Sequence, residues 1–262
     1  MKIYSFNELL TNHELENKPM AIAIGVFDGV HLGHKDIFTS LVKGAKRDKT
    51  ESMVITFSKN PKKKVHSLDS MRLREDYVES FGINYFTIID FSEDFSKISG
   101  SEFIRLLRTI CRVKRVVVGE DFKCGNPSSQ ITAGELGEEF HKQGSPVRVI
   151  IRPAVLDGKG RRISSTMLRE MISRGRLSAA EKLSTRFYQI DLSTLDSKVE
   201  SDNLIVDTTA LEQQLPPKGK YMGVLRLKGG YASVDSFLIE DGYLFFPGVS
   251  RMPDTLSILT KE

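Results

Sequence analysis

The 262-residue sequence contains no tryptophan and only two cysteines, Cys111 and Cys124. Two cysteines are too few for a disulfide framework, which favours a reducing compartment. Cys124 has no second Cys or His at metal-ligand spacing and Cys111 lies in a helical pattern, so we expect no zinc site and no thiol nucleophile. No stretch approaches the ~20 consecutive apolar residues of a membrane-spanning helix, and the N-terminal segment lacks an apolar core of signal-peptide length. These absences predict a cytoplasmic protein that binds no membrane.

The sequence also lacks a strong excess of charge of one sign. Its 38 Lys+Arg against 34 Asp+Glu give a net charge of only +4, and no predicted helix carries clustered basic residues, so nucleic-acid binding is not expected. The charge is unevenly distributed, however. Residues 187–262 contain 7 Lys+Arg and 11 Asp+Glu, which leaves 31 against 23 for residues 1–186. A basic N-terminal region suits a polyanionic ligand, although a solvated surface of arbitrary sign accounts for it equally well.

Short apolar runs alternate with segments of helical spacing over the first 150 residues. The predicted strands are 20–27, 53–57, 83–89, 115–118 and 147–151. The predicted helices between them are 33–47, 69–81, 99–112 and 133–143. Strand–helix–strand repetition with continuously apolar strands predicts an α/β fold, a five-stranded parallel sheet with helices on both faces.

The pattern changes near residue 187. Two further predicted helices, 165–174 and 178–183, come before the change, and short β-like runs separated by Pro- and Gly-containing turns come after it. This sequence pattern predicts a small all-β domain, either a barrel or a sandwich. We therefore divide the chain into residues 1–186 and 187–262.

The stretch "GVFDGVHLGHK", residues 25–35, joins the first predicted strand to the first predicted helix. Such a turn presents backbone N–H groups and the positive end of a helix dipole, which together make an anion site. Gly29 and Gly33 allow close approach of the backbone to a phosphate or a positive φ. The spacing is neither that of a P-loop nor that of a dinucleotide-binding G-x-G-x-x-G turn.

Two histidines flank the glycine of this turn in the sequence His31-Leu32-Gly33-His34. Imidazoles can donate to a phosphoryl group and respond to the charge that builds on it. Asp28 is positioned to hold a metal ion or an amine of a ligand. The His-x-Gly-His spacing at a strand–helix junction resembles the nucleotidyltransferase superfamily, to which the H-I-G-H aminoacyl-tRNA synthetases also belong.

A second polar cluster lies in "ISSTMLR". Ser164, Ser165 and Thr166 place three hydroxyls at a predicted helix N-terminus, and Arg169 follows three residues later. That spacing brings a guanidinium to the end of the helix where the N–H groups are free, which suits a triphosphate. An ordinary N-cap with a surface arginine would have the same pattern.

Polar and aromatic residues also follow two other predicted strands. Glu120 and Asp121 come after the Val-Val-Val strand, where they could contact a ligand or could cap a turn. Thr56, Phe57 and Asn60 lie at the end of the second strand, where an aromatic residue could line a ligand site or belong to the core.

The run "IGVFDGVHLGH" resembles the G-x-F-D-G-x-H-x-G-H motif of the prokaryotic FAD synthetase family. Three further stretches resemble that family in the same order, and the resemblance spans residues 20–188. They are "VITFSKNP" (54–61), "VVVGEDFKCG" (116–125) and "RISSTMLREMISRGRLSAAEKL" (162–183). Two departures stand out. Ser58, Lys59 and Asn60 replace an Asp-Pro-His run, and Cys124 replaces an aromatic residue.

The resemblance implies a Rossmann-like nucleotidyltransferase domain that transfers AMP from ATP to FMN, giving FAD and pyrophosphate. It implies His31, His34 and Arg169 as catalytic residues, with Mg²⁺ accompanying ATP and no metal ligand supplied by the protein. The residues implied for ATP binding are Gly25, Phe27, Asp28, Gly29, Gly33, Ser164, Ser165 and Thr166. Those implied for flavin binding are Thr56, Phe57, Asn60, Glu120, Asp121 and Phe122.

Members of this family usually continue into a riboflavin kinase barrel with a G-x-P-T-A-N segment. Residues 187–262 contain no such segment and no glycine-rich nucleotide turn, and their net charge suits ATP poorly. We therefore expect a remnant of the barrel without riboflavin kinase activity.

Two other functions stay open at this point. The chain could be an adenylyl- or cytidylyltransferase for another phosphorylated acceptor, such as phosphopantetheine, nicotinamide mononucleotide or glycerol phosphate. It could also be a non-catalytic flavin- or nucleotide-binding protein. The expected partners are ATP and FMN or FAD, with a weak homo-oligomer as the only protein partner considered.

Overall fold

A computed structural model describes residues 1–58, 65–90, 93–227 and 230–261 of the chain. Contacts divide the chain into two units. The first comprises Met1–Phe27, Gly33–Val65 and Glu75–Leu156, and the second comprises Asp28–Leu32, His66–Arg74 and Asp157–Glu262. The antiparallel strands begin next to the predicted boundary at 186/187, but the preceding helix pair and two short segments group with them. The functional division into 1–186 and 187–262 stays a prediction.

The secondary structure of residues 1–152 alternates between strands and helices. The strands are β1 (Lys2–Ser5), β2 (Pro19–Ile24), β3 (Glu51–Phe57), β4 (Tyr85–Ile89), β5 (Arg112–Gly119), β6 (Lys123–Cys124), β7 (Ile131–Thr132) and β8 (Arg148–Arg152). The helices are α1 (Phe6–Asn12), α2 (Leu32–Asp48), α3 (Met71–Glu79), α4 (Glu93–Lys97), α5 (Gly100–Ile110) and α6 (Leu136–Lys142). In α5, Ser99 and Glu102 form the capping box that their spacing predicts.

Six of these strands form a parallel sheet in the order β1-β4-β3-β2-β5-β8. Every residue from Met20 to Ile24 of β2 is buried, as are Val116, Val117 and Val118 of β5. Such continuous burial is expected of parallel strands covered on both faces, and it confirms the predicted α/β fold.

The sheet has one strand more than we predicted. The sixth strand, β1, pairs with β4 at the edge of the sheet, and three of its four residues are exposed. A four-residue edge strand with one buried side chain has no apolar run, so its sequence carries no strand signal.

The strand order reverses at β2, which lies between β3 and β5. Successive strands lead away from β2 toward β1 on one side, and β5 and β8 follow on the other. Ligands of open α/β sheets bind beyond the carboxyl ends of the strands at such a switch point. The turn that contains the two histidines follows β2 directly.

The second unit contains an antiparallel sheet of seven strands in the order β10-β11-β14-β13-β12-β15-β9, which confirms the all-β prediction. Its elements are α7 (Ser165–Ser173), α8 (Leu177–Ser184), β9 (Tyr188–Asp191), β10 (Ser197–Glu200), β11 (Asn203–Asp207), β12 (Gly219–Leu227), β13 (Gly230–Glu240), β14 (Tyr243–Phe246) and β15 (Thr255–Lys261). Apolar residues of both helices pack with the inward-facing residues of the sheet in one core. Among the described residues, none of the helices has the length and apolar character that crossing a membrane requires.

Candidate active site

In the first unit, the turn after β2 is held in an unusual backbone conformation. Phe27 has φ +50°, a left-handed value that bulky residues rarely adopt. Its side chain is 1 % exposed, and its ring packs 4.8 Å from that of Phe38. The N–H of Gly25 donates to Ile55 O at 3.1 Å, and a Cβ at Gly25 would lie 2.9 Å from the Phe27 ring. Backbone outliers that are fixed by packing in this way are concentrated at functional sites.

His34 lies in the first turn of α2, directly after Gly33. Its imidazole meets the Phe27 ring edge-on, with centroids 5.2 Å apart at 84°. The first turn of α2 contains no acidic residue, so the positive end of the helix dipole is not neutralised by its own side chains. An anion at this helix end would be stabilised by both the dipole and the imidazole.

The residues predicted at the end of β3 differ in what their side chains do. Thr56 is fully buried, and its hydroxyl donates to Val26 O at 2.8 Å. That bond fixes the turn after β2 to β3. Phe57 is half-buried and packs against the apolar core, with its ring 6.4 Å from Phe95. Asn60 lies outside the described residues.

The turn after β5 carries the predicted acidic pair at the same edge of the parallel sheet. Glu120 and Asp121 are both exposed, while Phe122 is half-buried against the core. The Glu120 N–H donates to Arg152 O at 3.0 Å, and the Phe122 N–H donates to Gly119 O at 3.1 Å. The two carboxylates are thus exposed on an ordered turn.

Sequence reasoning missed Arg152, the last residue of β8. Its guanidinium donates to Asp36 of α2 through Nε at 2.6 Å and through Nη2 at 2.9 Å. The side-chain hydrogen bond to Asp36 raises the pKa of Arg152. An arginine at the carboxyl end of a predicted strand, in "VIIRP", is the signal that could have identified it.

In the second unit, the Asp28 carboxylate accepts several hydrogen bonds. Its carboxylate oxygen Oδ1 accepts from the backbone N–H groups of Leu68 at 2.8 Å and Asp69 at 3.1 Å. Its Oδ2 accepts from Arg169 Nη2 at 2.8 Å, and Arg74 Nη2 lies 3.7 Å from Oδ1. Asp28 is 4 % exposed, and this burial raises its pKa above the ordinary value despite the nearby Arg74.

Two other predicted residues lie just after Asp28 in the same unit. His31 is buried, at 7 % exposure. Gly29 has φ +71°, and Leu68 occupies the space that a Cβ would take. A larger residue at position 29 would therefore be strained both in its backbone and by contact with Leu68.

The hydroxyl cluster lies at the N-terminus of α7, as predicted. Ser164 is the N-cap and accepts from Met167 N at 3.2 Å, while Thr166 is exposed. Ser165 Oγ donates to the backbone carbonyl of Asp28 at 2.7 Å. The first turn of α7 contains no acidic residue, so this second helix end is also suited to an anion.

Arg169 is brought next to Asp28 by the fold, although 141 residues separate them in sequence. Its Nε donates to His66 O at 2.8 Å, in addition to the bond from Nη2 to Asp28, and its side chain is 13 % exposed. Within the second unit the structure thus joins Asp28, Ser165 and Arg169. Sequence reasoning missed the 66–74 segment that supports them, because it carries no motif.

The described residues contain no group of three or more His, Cys, Asp or Glu side chains that could hold a metal ion. Both Asp28 oxygens already accept from protein donors. Both cysteines are buried, and burial raises the pKa of each thiol to about 12, which makes them poor nucleophiles.

The chain is similar to a known protein family. A model of the FAD synthetase family matches residues 13–167, which include both histidines and the hydroxyl cluster.

Curated relatives share about the same part of the chain. The bifunctional riboflavin kinase/FMN adenylyltransferase of Buchnera aphidicola is 29% identical over 183 residues, covering 66% of this chain and 57% of that protein. The protein of that name from Escherichia coli is 29% identical over 184 residues, covering 65% and 56%. A putative one from Geobacillus thermodenitrificans is 29% identical over 178 residues, covering 67% and 92%. The match thus spans little more than half the length of the first two relatives.

Among solved structures, a macrolide-efflux protein from Streptococcus pneumoniae superposes with a TM-score of 0.79 at 21% identity. The match covers 100% of this chain and 91% of that one. This likeness shows that the fold, including the antiparallel sheet, is shared.

Proposed function

Because the chain belongs to the FAD synthetase family, we propose that it is an FMN adenylyltransferase, which transfers AMP from ATP to FMN and releases pyrophosphate. The observation that carries this proposal is the family match over residues 13–167, since it includes the turn with both histidines. The side chains in that turn and at α7 are those that anionic phosphates require.

The reaction brings two anions together. The FMN phosphate attacks the α-phosphorus of ATP, and pyrophosphate leaves on the opposite side. The protein forms no covalent bond with the substrates in this proposal, so alignment of the substrates and neutralisation of their charge account for most of the rate enhancement. In this proposal the site supplies N–H donors, imidazoles and a guanidinium, and no protein nucleophile.

His31 and His34 are assigned to the triphosphate. The packing of the His34 ring against Phe27 supports this role, because a fixed imidazole needs little reorganisation when charge develops on the phosphorus. The uncompensated N-terminus of α2 supports it as well, since its N–H groups favour the same anion.

Arg169 is assigned to the leaving pyrophosphate, and Ser164 and Thr166 are assigned to hydrogen bonds with phosphate oxygens. Because the Ser165 hydroxyl donates to Asp28 O, its proposed role is to hold the turn against α7 rather than to donate to a phosphate. A planar guanidinium can bind two phosphate oxygens at once, which a lysine cannot do. The partly buried position of Arg169 supports this role, because charge interactions are stronger where water is excluded.

Mg²⁺ is proposed to arrive with ATP, and it would neutralise phosphate charge. Because the described residues include no cluster of side chains that could hold a metal ion, no step is assigned to a protein-held metal. The flavin is assigned to the residues that follow β3 and β5, namely Thr56, Phe57, Asn60, Glu120, Asp121 and Phe122. Because the Thr56 hydroxyl donates to Val26 O, its proposed role is to hold the turn rather than to donate to FMN.

We also propose that the chain lacks riboflavin kinase activity. The support is the absence of a G-x-P-T-A-N segment and of a glycine-rich nucleotide turn from the sequence of residues 187–262. An assay with riboflavin and ATP that yields FMN above the background of a protein-free control would contradict this part of the proposal.

A panel of acceptors tests the function. The protein is mixed with ATP, Mg²⁺ and, separately, FMN, phosphopantetheine, nicotinamide mononucleotide and glycerol phosphate. Chromatography then detects the dinucleotide, and a coupled assay detects pyrophosphate. Of the four acceptors, we expect only FMN to give a dinucleotide, FAD, together with pyrophosphate. Product with another acceptor would assign the chain to a different adenylyltransferase, and flavin binding without pyrophosphate would make it a non-catalytic binding protein.

A further inference from the structure

Two hydrogen bonds hold the guanidinium of Arg169 along one of its edges. Its Nε donates to His66 O and its Nη2 donates to Asp28 Oδ2, both at 2.8 Å. Within the described part of the chain, these bonds account for two of its five N–H groups. The remaining donors, including both on Nη1, are available to a ligand with several acceptor oxygens.

Asp28 is itself fixed by groups that cannot rotate away. Backbone N–H groups of Leu68 and Asp69 hold Oδ1, so the orientation of the carboxylate and therefore of Oδ2 is set by the main chain. The backbone carbonyl of Asp28 also accepts from Ser165 Oγ. One residue thus connects to both Arg169 and the first residue of α7.

Burial of the Asp28 carboxylate opposes its ionisation. Burial raises the pKa of Asp28, which means that the ionised carboxylate is less favourable in the folded chain than in the unfolded one. The carboxylate is compensated in the folded chain by two backbone N–H groups and by the guanidinium of Arg169.

We propose that Asp28 is a positioning residue, which holds Arg169 by one edge so that its opposite edge faces the phosphates of the nucleotide. This inference rests on the proposed adenylyl transfer. It assigns Asp28 no contact with the nucleotide, in contrast to the ATP-binding role that the sequence suggested.

The 66–74 segment that fixes Asp28 is fixed in turn by residues near the antiparallel sheet. Gln213 Nε2 donates to Leu68 O at 2.9 Å, and Arg186 Nη2 donates to both Asp69 oxygens at 2.5 and 2.7 Å. Gln213 is 3 % exposed, and its Oε1 accepts from Asp191 N at 2.7 Å. The C-terminal region therefore supports Arg169 through hydrogen bonds, and under this proposal it is part of the adenylyl-transfer machinery.

A double-mutant cycle tests the inference. Asp28→Asn, Arg169→Ala and their combination are compared in kcat/KM for ATP, KM for ATP and melting temperature. Asp28→Asn should lower kcat/KM by about 10- to 100-fold, and the double variant should be no slower than Arg169→Ala to within about threefold, because both changes remove the same interaction. If the role of Asp28 were only structural, the losses in kcat/KM from Asp28→Asn and Arg169→Ala would multiply in the double variant.

Asp48→Asn is the matched control, since Asp48 is also bonded to a buried arginine, Arg115, at 2.8 and 2.5 Å. The kcat/KM of this variant should stay within about twofold of that of the parent protein, and its effect should multiply with that of Arg169→Ala. Near-normal kcat/KM in Asp28→Asn, or multiplicative effects with Arg169→Ala, would overturn the inference and leave the proposed function intact. Absence of FAD from the unmodified protein would instead overturn the proposed function.

Arg169→Lys provides a second test of the inference in case the Asp28→Asn variant does not fold. A lysine can still pair with Asp28, but it has no second edge of N–H donors. We expect a loss in kcat/KM of at least about 10-fold with a melting temperature close to that of the parent protein. Near-normal kcat/KM in Arg169→Lys would show that the free edge is not used and would overturn the inference.

Discussion

The two units hold buried charge in different ways. In the first, Arg115 is 1 % exposed and bonds to Asp48 at the end of α2, and Gly44 leaves the room it needs, since a Cβ there would lie 2.6 Å from Arg115 Cδ. In the second, three buried aspartates bond to arginines. These pairs are Asp28 with Arg169, Asp69 with Arg186, and Asp191 with Arg72.

The difference indicates different purposes. The pair in the first unit joins a strand to a helix end within a core that is otherwise largely apolar. The pairs of the second unit involve the 66–74 segment or the turn that contains Asp28. Buried ion pairs are weak sources of stability but specify geometry. We therefore expect changes to the Arg115–Asp48 pair to affect folding and changes around Asp28 to affect catalysis.

The largest effect on activity is expected from His34→Ala. Loss of a preorganised donor to developing phosphate charge should lower kcat by about 10²- to 10³-fold, while the melting temperature stays within a few degrees. His141→Ala, which removes an exposed histidine of α6, is the matched control and should be indistinguishable from the parent protein. A kcat within twofold of normal in His34→Ala would remove this imidazole from the mechanism.

Asp48→Ala should affect stability rather than activity. The change leaves Arg115 buried without its carboxylate partner, which costs roughly 3 kcal/mol, the lower end of the usual range because Asp48 is itself 24% exposed. Urea denaturation measures the loss, and steady-state kinetics at a temperature where the variant is folded should give kcat and KM close to normal. A selective loss of activity in the folded variant would contradict the contrast between the units.

A smaller effect on activity is expected from Gln213→Leu. This near-isosteric change removes the donor to Leu68 O and so loosens the segment that fixes Asp28. We expect KM for ATP to rise about three- to tenfold in a variant that remains folded, as for other residues that act through a neighbour. Gln189→Leu, at a less buried glutamine of β9, serves as the control. Equal kinetics in both variants would limit the role of Gln213 to folding.

The smallest effect concerns pH. Although burial opposes it, hydrogen bonding from Arg72 and Ser70 lowers the pKa of Asp191 below its ordinary value. A carboxyl with a lowered folded pKa stabilises the chain above its unfolded pKa, near 4, and that contribution is lost as pH falls below it. The stability difference between the parent protein and Asp191→Asn should therefore shrink from pH 7 to pH 3. A difference that is independent of pH would show that the charge of Asp191 is not involved.

Much of the fold was accessible from the sequence because burial leaves a local pattern. The apolar runs of β2 and β5 and the capping box at Ser99 and Glu102 are local features, and the structure confirms them. The edge strand β1 and the pair β6 and β7 were missed. They are too short to carry a periodicity, and pairing with a partner strand defines them.

The candidate site was accessible only in part, for the same reason. The histidine turn and the hydroxyl cluster each consist of residues that are contiguous in the sequence, so their position at helix N-termini could be predicted. The bond between Asp28 and Arg169 joins residues 141 positions apart, and the support from Leu68 and Gln213 comes from segments without motifs. Only the folded backbone brings these groups together, and roles that depend on it cannot be inferred from spacing.

Isotopic labelling tests the central claim most directly. The protein is incubated with FMN, Mg²⁺ and ATP that carries ³²P at either the α- or the γ-position, and the products are separated. Adenylyl transfer predicts that the α-label appears in FAD and the γ-label appears in pyrophosphate. Transfer of the γ-label to a flavin, or absence of the α-label from FAD, would contradict it.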